Sequence, residues 1–261
     1  MHMKKWLMIP GLVLLLCGCA NNALHDSFSA YGNKTVSELY HESKSNIQDG
    51  HYNRAAKELE AMSALYPFGV YAEEGLINLV YAYYKNDDGN EALAAADRYL
   101  ALYPYGKYAD YAYYMKGVIA FKQGFSWLQR KAGINPAPRD LSNFKSAYLS
   151  FSQLVQQFPS SPYVPDSVAR MRYIRNLFAE KEVGIARFYY DQKAYVAAAN
   201  RASIVVEHYD RSPWVIPALA IMVRSYQKLH LTNMANNTLR IFQASYPNSV
   251  SPKLALSPML K

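Results

Sequence analysis

Val168, Met171, Ile174, Phe178, Ile185 and Tyr189 fall at steps of three, four and seven, the spacing of one apolar face on a helix. The stretch around them has no proline after Pro165 and a single glycine, Gly184. It predicts one unbroken helix from Val164 to Tyr190, roughly 40 Å long at about 1.5 Å per residue. The charges between these positions, in ARMRYIRNLFAEKE, read as the solvated face. Elsewhere between residues 36 and 248 shorter helical stretches are cut by a recurring mark: LYPFG (65–69), LYPYG (102–106), QFPSS (157–161), HYDRS (208–212) and SYPNS (245–249). The aromatic residues of the marks, Tyr66, Tyr103, Phe158, Tyr209 and Tyr246, stand 37, 55, 51 and 37 residues apart. A period of roughly 34–40 residues with helices between the marks is the signature of a helical solenoid.

A second pattern is in register with the first. Twelve residues before the position after each aromatic stand Ala55, Ala92, Ala147, Ala198 and Ala235. In a tetratricopeptide unit this is where the two helices of a pair cross most closely, so only a small side chain fits. Four residues later stand Leu59, Ala96, Phe151, Ala202 and Leu239, so the second and fourth units lack a bulky residue there. The two long spacings locate two additions. The first helix of unit 3 (108–122) is followed by QGFSWLQRKAGINPAPRD, a loop that partly packs through Trp127, before a helix resumes near Asp140. The addition in unit 4 is the long helix itself. The expected fold is therefore all-α: a tetratricopeptide-type solenoid of five helical hairpins, units 1–3 over 36–162 and units 4–5 over 163–248, with a flexible tail at 249–261.

The N-terminus reads as an address. Lys4 and Lys5 precede an apolar core, Trp6–Leu16, too short to span a bilayer, and then small residues. Leu16-Cys17-Gly18-Cys19 resembles the bacterial lipobox, with Gly18 as the small residue before the lipidated cysteine. Leu16 before Cys17 disqualifies that cysteine. The rival readings are a plain signal peptide and a Cys-x-Cys metal pair, but two thiolates alone cannot fill a tetrahedral site. Residues 1–18 are thus expected to be a signal peptide. Cys19 is expected to carry a covalent lipid, and 19–35 to be a polar tether. Ala20 stands where, in lipoproteins of this kind, an aspartate favours retention in the inner membrane, so the outer membrane is expected.

Composition adds limits. Loss of Lys4 and Lys5 takes the formal charge from +8 to +6, dispersed along the chain. That suits an anionic membrane surface or an acidic partner and argues against nucleic acid. The 24 tyrosines, against 10 phenylalanines, suit half-buried helix seams and binding grooves, since each has an apolar body and a polar tip. There is no glycine-rich phosphate loop, no His-Glu-x-x-His, no Gly-x-Ser-x-Gly and no Cys-His cluster, and the six histidines are scattered. An enzyme is not expected, nor a metal or any cofactor besides the lipid on Cys19. Solenoids usually bind peptides or partner proteins.

Specific runs go further. Tyr-Pro-Phe-Gly-x-Tyr (66–71), Tyr-Ala-Tyr-Tyr-Lys (81–85), Asp-Arg-Tyr (97–99), MKG (115–117), RD (139–140), FSQLVQQFPSSPY (151–163) and AAANR (197–201) resemble the BamD family, lipoproteins of the outer-membrane β-barrel assembly machinery. The resemblance covers essentially all of 35–248, both additions included. It implies a lipid-anchored protein on the periplasmic face of the outer membrane that docks on the barrel-forming partner BamA, alongside other lipoproteins of the machinery. It also implies recognition of the C-terminal β-signals of unfolded barrel proteins. Carried onto this chain, it makes Tyr66, Phe68, Tyr83, Tyr84 and Arg98 a substrate-binding groove, and Arg201 the arginine that pairs with an acid on BamA. Plain packing is the other reading. Tyr66 and Phe68 stand at turns where aromatics wedge adjacent units, and Tyr83 at a position that packs on the neighbouring helix. A different function class, an envelope scaffold lipoprotein serving peptidoglycan or pilus assembly, would use the same address and repeats.

Overall fold

Every mark ends a helix. The structure, a computed structural model, describes residues 28–125, 135–137 and 140–247. Among these residues there are ten α-helices and no strand. They are α1 (Val36–Gln48), α2 (Tyr52–Leu65), α3 (Ala72–Lys85), α4 (Gly89–Leu102), α5 (Ala109–Gln123), α6 (Ser142–Gln157), α7 (Val164–Asp191), α8 (Tyr195–His208), α9 (Val215–Lys228) and α10 (Thr232–Ser245). Successive helices pack as five hairpins, α1–α2 through α9–α10, each against the next. Trp127, Arg139 and the tail at 249–261 lie outside the described residues.

The turns repeat at the level of the backbone. Tyr66, Tyr103, Phe158, Tyr209 and Tyr246 are the C-caps of α2, α4, α6, α8 and α10, with φ between −135° and −128°. Each donates its backbone N–H to the carbonyl four residues back. Proline after four of them excludes the helical conformation at the preceding residue. Asp210 follows the fifth, and the same cap forms, so the half-buried ring sets the turn there without proline. Within the hairpins, four turns place one residue at positive φ: Gly50 (79°), Asp87 (69°), Lys193 (62°) and His230 (58°). The next N–H reaches back five residues, as in His51 to Asn46 (2.8 Å) and Leu231 to Tyr226 (2.9 Å). This is the Schellman closure of a helix end. Only the third hairpin, interrupted by the insertion, departs from it.

All five expected crossing alanines are buried, at 4% exposure or less. Leu59, Ala96, Phe151 and Ala202 are buried too, and Leu239 is half-buried. A third row, seven residues after the alanines, was not foreseen: Met62, Tyr99, Leu154, Val205 and Phe242, all buried. It supplies bulk in every unit, so the small residues at Ala96 and Ala202 leave units 2 and 4 with a core. Burying each such side chain stabilises by about 1.5–3 kcal/mol.

Helix α7 matches the expected span to one residue, but its apolar face differs from the expected one. Ile174 and Leu177 are buried with α5 and α6. Ala179, Val183 and Ala186 are buried with α8 and α9. At roughly 100° per residue, the second set lies 120–180° round the helix from Ile174. Val168 is exposed, and Ile185 and Tyr189 are only half-buried. The helix therefore buries one side against unit 3 and, farther along, nearly the opposite side against α8 and α9 of units 4 and 5.

Tyrosine hydroxyls join neighbouring units. Tyr40 donates to Glu74, which Lys44 also reaches at 3.2 Å, and the Tyr40 ring stacks on Tyr71. Tyr99 donates to Glu73 (2.6 Å) and accepts from the Tyr108 N–H (2.9 Å). Tyr114 donates to Asp166 (2.9 Å). The expected tether ends earlier than residue 35. Ser29–Tyr31 form a 3-10 turn, Tyr31 packs on the first core, and Thr35 and Glu38 form a capping box on α1.

Two predictions follow from this packing. A Cβ on Gly117 would stand 2.3 Å from the fully buried ring of Phe151, whereas one on Gly184 meets nothing within 4 Å. Gly117→Ala is expected to destabilise by about 1–3 kcal/mol and Gly184→Ala to stabilise by about 0.5–1 kcal/mol, both read from urea unfolding. Second, the Tyr40 hydroxyl, with Lys44, holds the Glu74 carboxyl below its ordinary range against the opposing effect of burial. A carboxyl lowered in the folded state contributes stability above its unfolded pKa and loses it as pH falls through the folded value. Tyr40→Phe should therefore cost about 1 kcal/mol at pH 7, a charged hydrogen bond discounted for exposure. The cost should shrink toward zero near pH 3.

Candidate functional site

The first groove lies where α2, α3 and α4 diverge. Leu76, Leu79 and Ala95 form its floor, Glu60, Tyr83, Glu91 and Arg98 stand on its walls, and Phe28 lies at its margin, around a volume of about 430 Å³. Tyr83 donates its hydroxyl to Glu60. Burial, then the Glu60 carboxylate, push the Tyr83 phenol above its ordinary range, so it remains a neutral donor. Arg98 is exposed on the wall and makes no ion pair among the described residues. The groove thus combines an apolar floor, two carboxylates that accept N–H groups, and one guanidinium that donates to carboxylate or carbonyl oxygens. An extended peptide presents that mixture of groups.

Only Tyr83 and Arg98 of the five expected groove residues line this space. Tyr84 follows Tyr83 on α3, and consecutive helical residues point roughly 100° apart. Its ring lies under the Lys122 ammonium, 5.0 Å from the ring centroid, in a separate hollow with Asp87 and Gln123. Tyr66 is the C-cap of α2, its ring packed on the first core and its hydroxyl donated to the Lys34 carbonyl at 2.9 Å. The other four marks hold their aromatic in the same place, which fits the packing alternative for Tyr66. Phe68 does not wedge adjacent units, because it is 86% exposed. Tyr105, its counterpart one unit on, is 91% exposed. Glu60 and Glu91 escaped the sequence reading, since nothing local marks an acid as facing a groove built by three helices.

Arg201 lies on α8, three residues after Ala198. The equivalent positions elsewhere hold Glu58, Ala95, Ser150 and Thr238, all buried. Arg201 is instead 42% exposed in its side chain, and its Nη1 donates to Glu182 of α7 at 3.1 Å. The contact uses one guanidinium nitrogen and leaves the other donors of the fork open. Glu182 is a partner that the sequence did not reveal. Cys19 lies outside the described residues. Among the described residues no three His, Cys, Asp or Glu side chains gather as a metal site, and no helix is long and apolar enough to cross a membrane.

Comparison with known proteins places these features in context. The family model YfiO, described as an outer membrane lipoprotein, matches residues 32–241. The chain is 34% identical over 248 residues to the outer membrane protein assembly factor BamD of Neisseria meningitidis serogroup B, covering 95% of this chain and 93% of that protein. It is 33% identical over 252 residues to the protein of the same name from Haemophilus influenzae, covering 97% and 94%. With that of Pasteurella multocida the identity is 37% over 208 residues, covering 80% of each.

Proposed function

The chain belongs to the YfiO family of outer membrane lipoproteins, and from that membership we propose that it is a non-enzymatic outer-membrane assembly factor that holds unfolded β-barrel proteins and binds a BamA-type barrel partner. The observation that carries this reading is the groove of Tyr83 and Arg98, because its mixed lining matches an extended strand. Apolar side chains on one side of the strand would rest on Leu76 and Leu79. Backbone N–H groups on its edge would donate to Glu60 and Glu91. The Arg98 guanidinium would take a terminal carboxylate or a row of carbonyls. Phe68, exposed on the α2–α3 turn, offers a second, separate aromatic contact. Tyr66 and Tyr84 support the scaffold in this reading, for the reasons of geometry given above.

The BamA contact is assigned to Arg201. Its open N–H donors suit a carboxylate on the partner, and a planar guanidinium does what lysine cannot. Glu182 then acts as a holder that orients the fork in the free protein. The lipid on Cys19 would anchor the chain on the periplasmic face of the outer membrane, beside other lipoproteins of the machinery. Stable anchoring takes more than one acyl chain.

Two experiments test the assignments. In co-purification from detergent-solubilised membranes, Arg201→Ala should lower recovered BamA several-fold, while Glu182→Gln should leave it intact. Equal loss in both variants would mean that Arg201 serves only the internal pair. Separately, a photo-crosslinking β-signal peptide should label the groove, and Arg98→Ala should reduce that labelling at least fivefold. Undiminished labelling would remove Arg98 from substrate binding.

A further inference from the structure

The charged stretch of α7, read from the sequence as a solvated face, lines a groove of its own. Arg172 and Arg175 of α7 and Arg211 of the α8–α9 turn border a space of about 470 Å³, and no carboxylate lies among its lining residues. Arg175 is held in place: its Nη2 donates to the His208 carbonyl (3.1 Å) and to Asp210 (3.2 Å), tying α7 to the turn. Arg172 and Arg211 are exposed, and neither makes an ion pair among the described residues. Apolar lining comes from Tyr148 of α6 and from Val168 and Met171 of α7. Val168, the expected core residue that proved to be 40% exposed, is one of these.

We propose that this groove docks an acidic, partly apolar segment of a partner protein in extended form. Charge complementarity is the first argument. Two uncompensated guanidiniums flank a third whose carboxylate is shared with the turn, and their planar forks match side-chain carboxylates two bonds at a time. The lining is the second. Val168, Met171 and Tyr148 receive apolar side chains that alternate with the acids, and the Asn176 amide both donates to and accepts from a peptide backbone. A bare phosphate would leave the apolar lining unused. The chain's own C-terminal stretch, SVSPKLALSPMLK, carries two lysines and no acid, so like charge disfavours it as the occupant. The groove shares no residue with the Arg98 groove or with the Arg201–Glu182 pair, so the proposal stands apart from the function proposed above.

The test uses the full chain purified in detergent and a fluorescein-labelled dodecapeptide in which Glu alternates with Val and Tyr, followed by anisotropy. The wild-type chain should bind it, with affinity falling as salt is added. The same peptide with every Glu replaced by Gln should bind at least tenfold more weakly. The double variant Arg172→Gln/Arg211→Gln should lose at least tenfold in affinity, whereas Arg240→Gln, an exposed change on α10 that lines neither groove, should lose less than twofold. Arg211→Glu alone, a single exposed change, should lose at least as much as Arg211→Gln and guards against a folding defect in the double variant. No binding by the wild-type chain, equal binding of the Glu and Gln peptides, or an undiminished double variant would overturn the proposal. So would phosphatidylglycerol vesicles that lose binding in the double variant while the peptide does not, because the groove would then be a lipid-headgroup site.

Discussion

The close approach of the two helices in each hairpin is the constraint on which the rest of the molecule depends. It demands a residue no larger than alanine where the helices cross, and Ala55, Ala92, Ala147, Ala198 and Ala235 meet that demand in every unit. Once two helices lie that close, the residue seven positions on is carried into the core, and it is large in all five units. The aromatic cap follows four residues later, donating its N–H to that same core residue. Crossing point, core and turn are thus successive positions on one helix, and the unit repeats because the geometry linking them repeats.

Helix α7 is where the repeat is adapted. Twice the length of its counterparts, it leaves unit 3 and enters unit 4 as one rod, and its buried side turns as it does so. Its polar residues are therefore redistributed. Arg172 and Arg175 border a groove facing unit 3 and the α8–α9 turn, while Glu182 meets Arg201 on α8. Both features depend on a helix long enough to belong to two cores. The Tyr40–Glu74 and Tyr114–Asp166 contacts act at smaller scale, each adding a polar tie between one unit and the next.

Much of the fold was legible in the chain because the constraints that build it are local. Proline after an aromatic stops a helix through its own ring and the preceding residue, so the ends of α2, α4, α6 and α10 can be read directly. Alanine at a fixed distance from that stop marks the crossing, and the missing breakers between Val164 and Tyr190 mark the long helix. The face of α7 was misread because one periodicity was assumed for a helix that packs against two bodies in turn. The N-terminal site was only partly legible. Tyr83 and Arg98 meet in a groove, but adjacent Tyr84 cannot point there, and Tyr66 is bound into its own turn.

The sequence alone determined the class of fold, the register of the units, the place of both additions and, through its detailed runs, the family. Each of these depends on residue type at a given spacing along one chain. Tertiary structure alone decided which side chains share a groove and which charges find partners. Glu60 beside Arg98, Glu182 beside Arg201, and Arg211 across from Arg172 bring together residues on different elements, about 20 to 40 positions apart in the chain, whereas Glu91 shares α4 with Arg98. Their meeting depends on how each hairpin is rotated against the next. That rotation is set by the summed packing of buried rows on several helices, a quantity no single stretch of sequence contains.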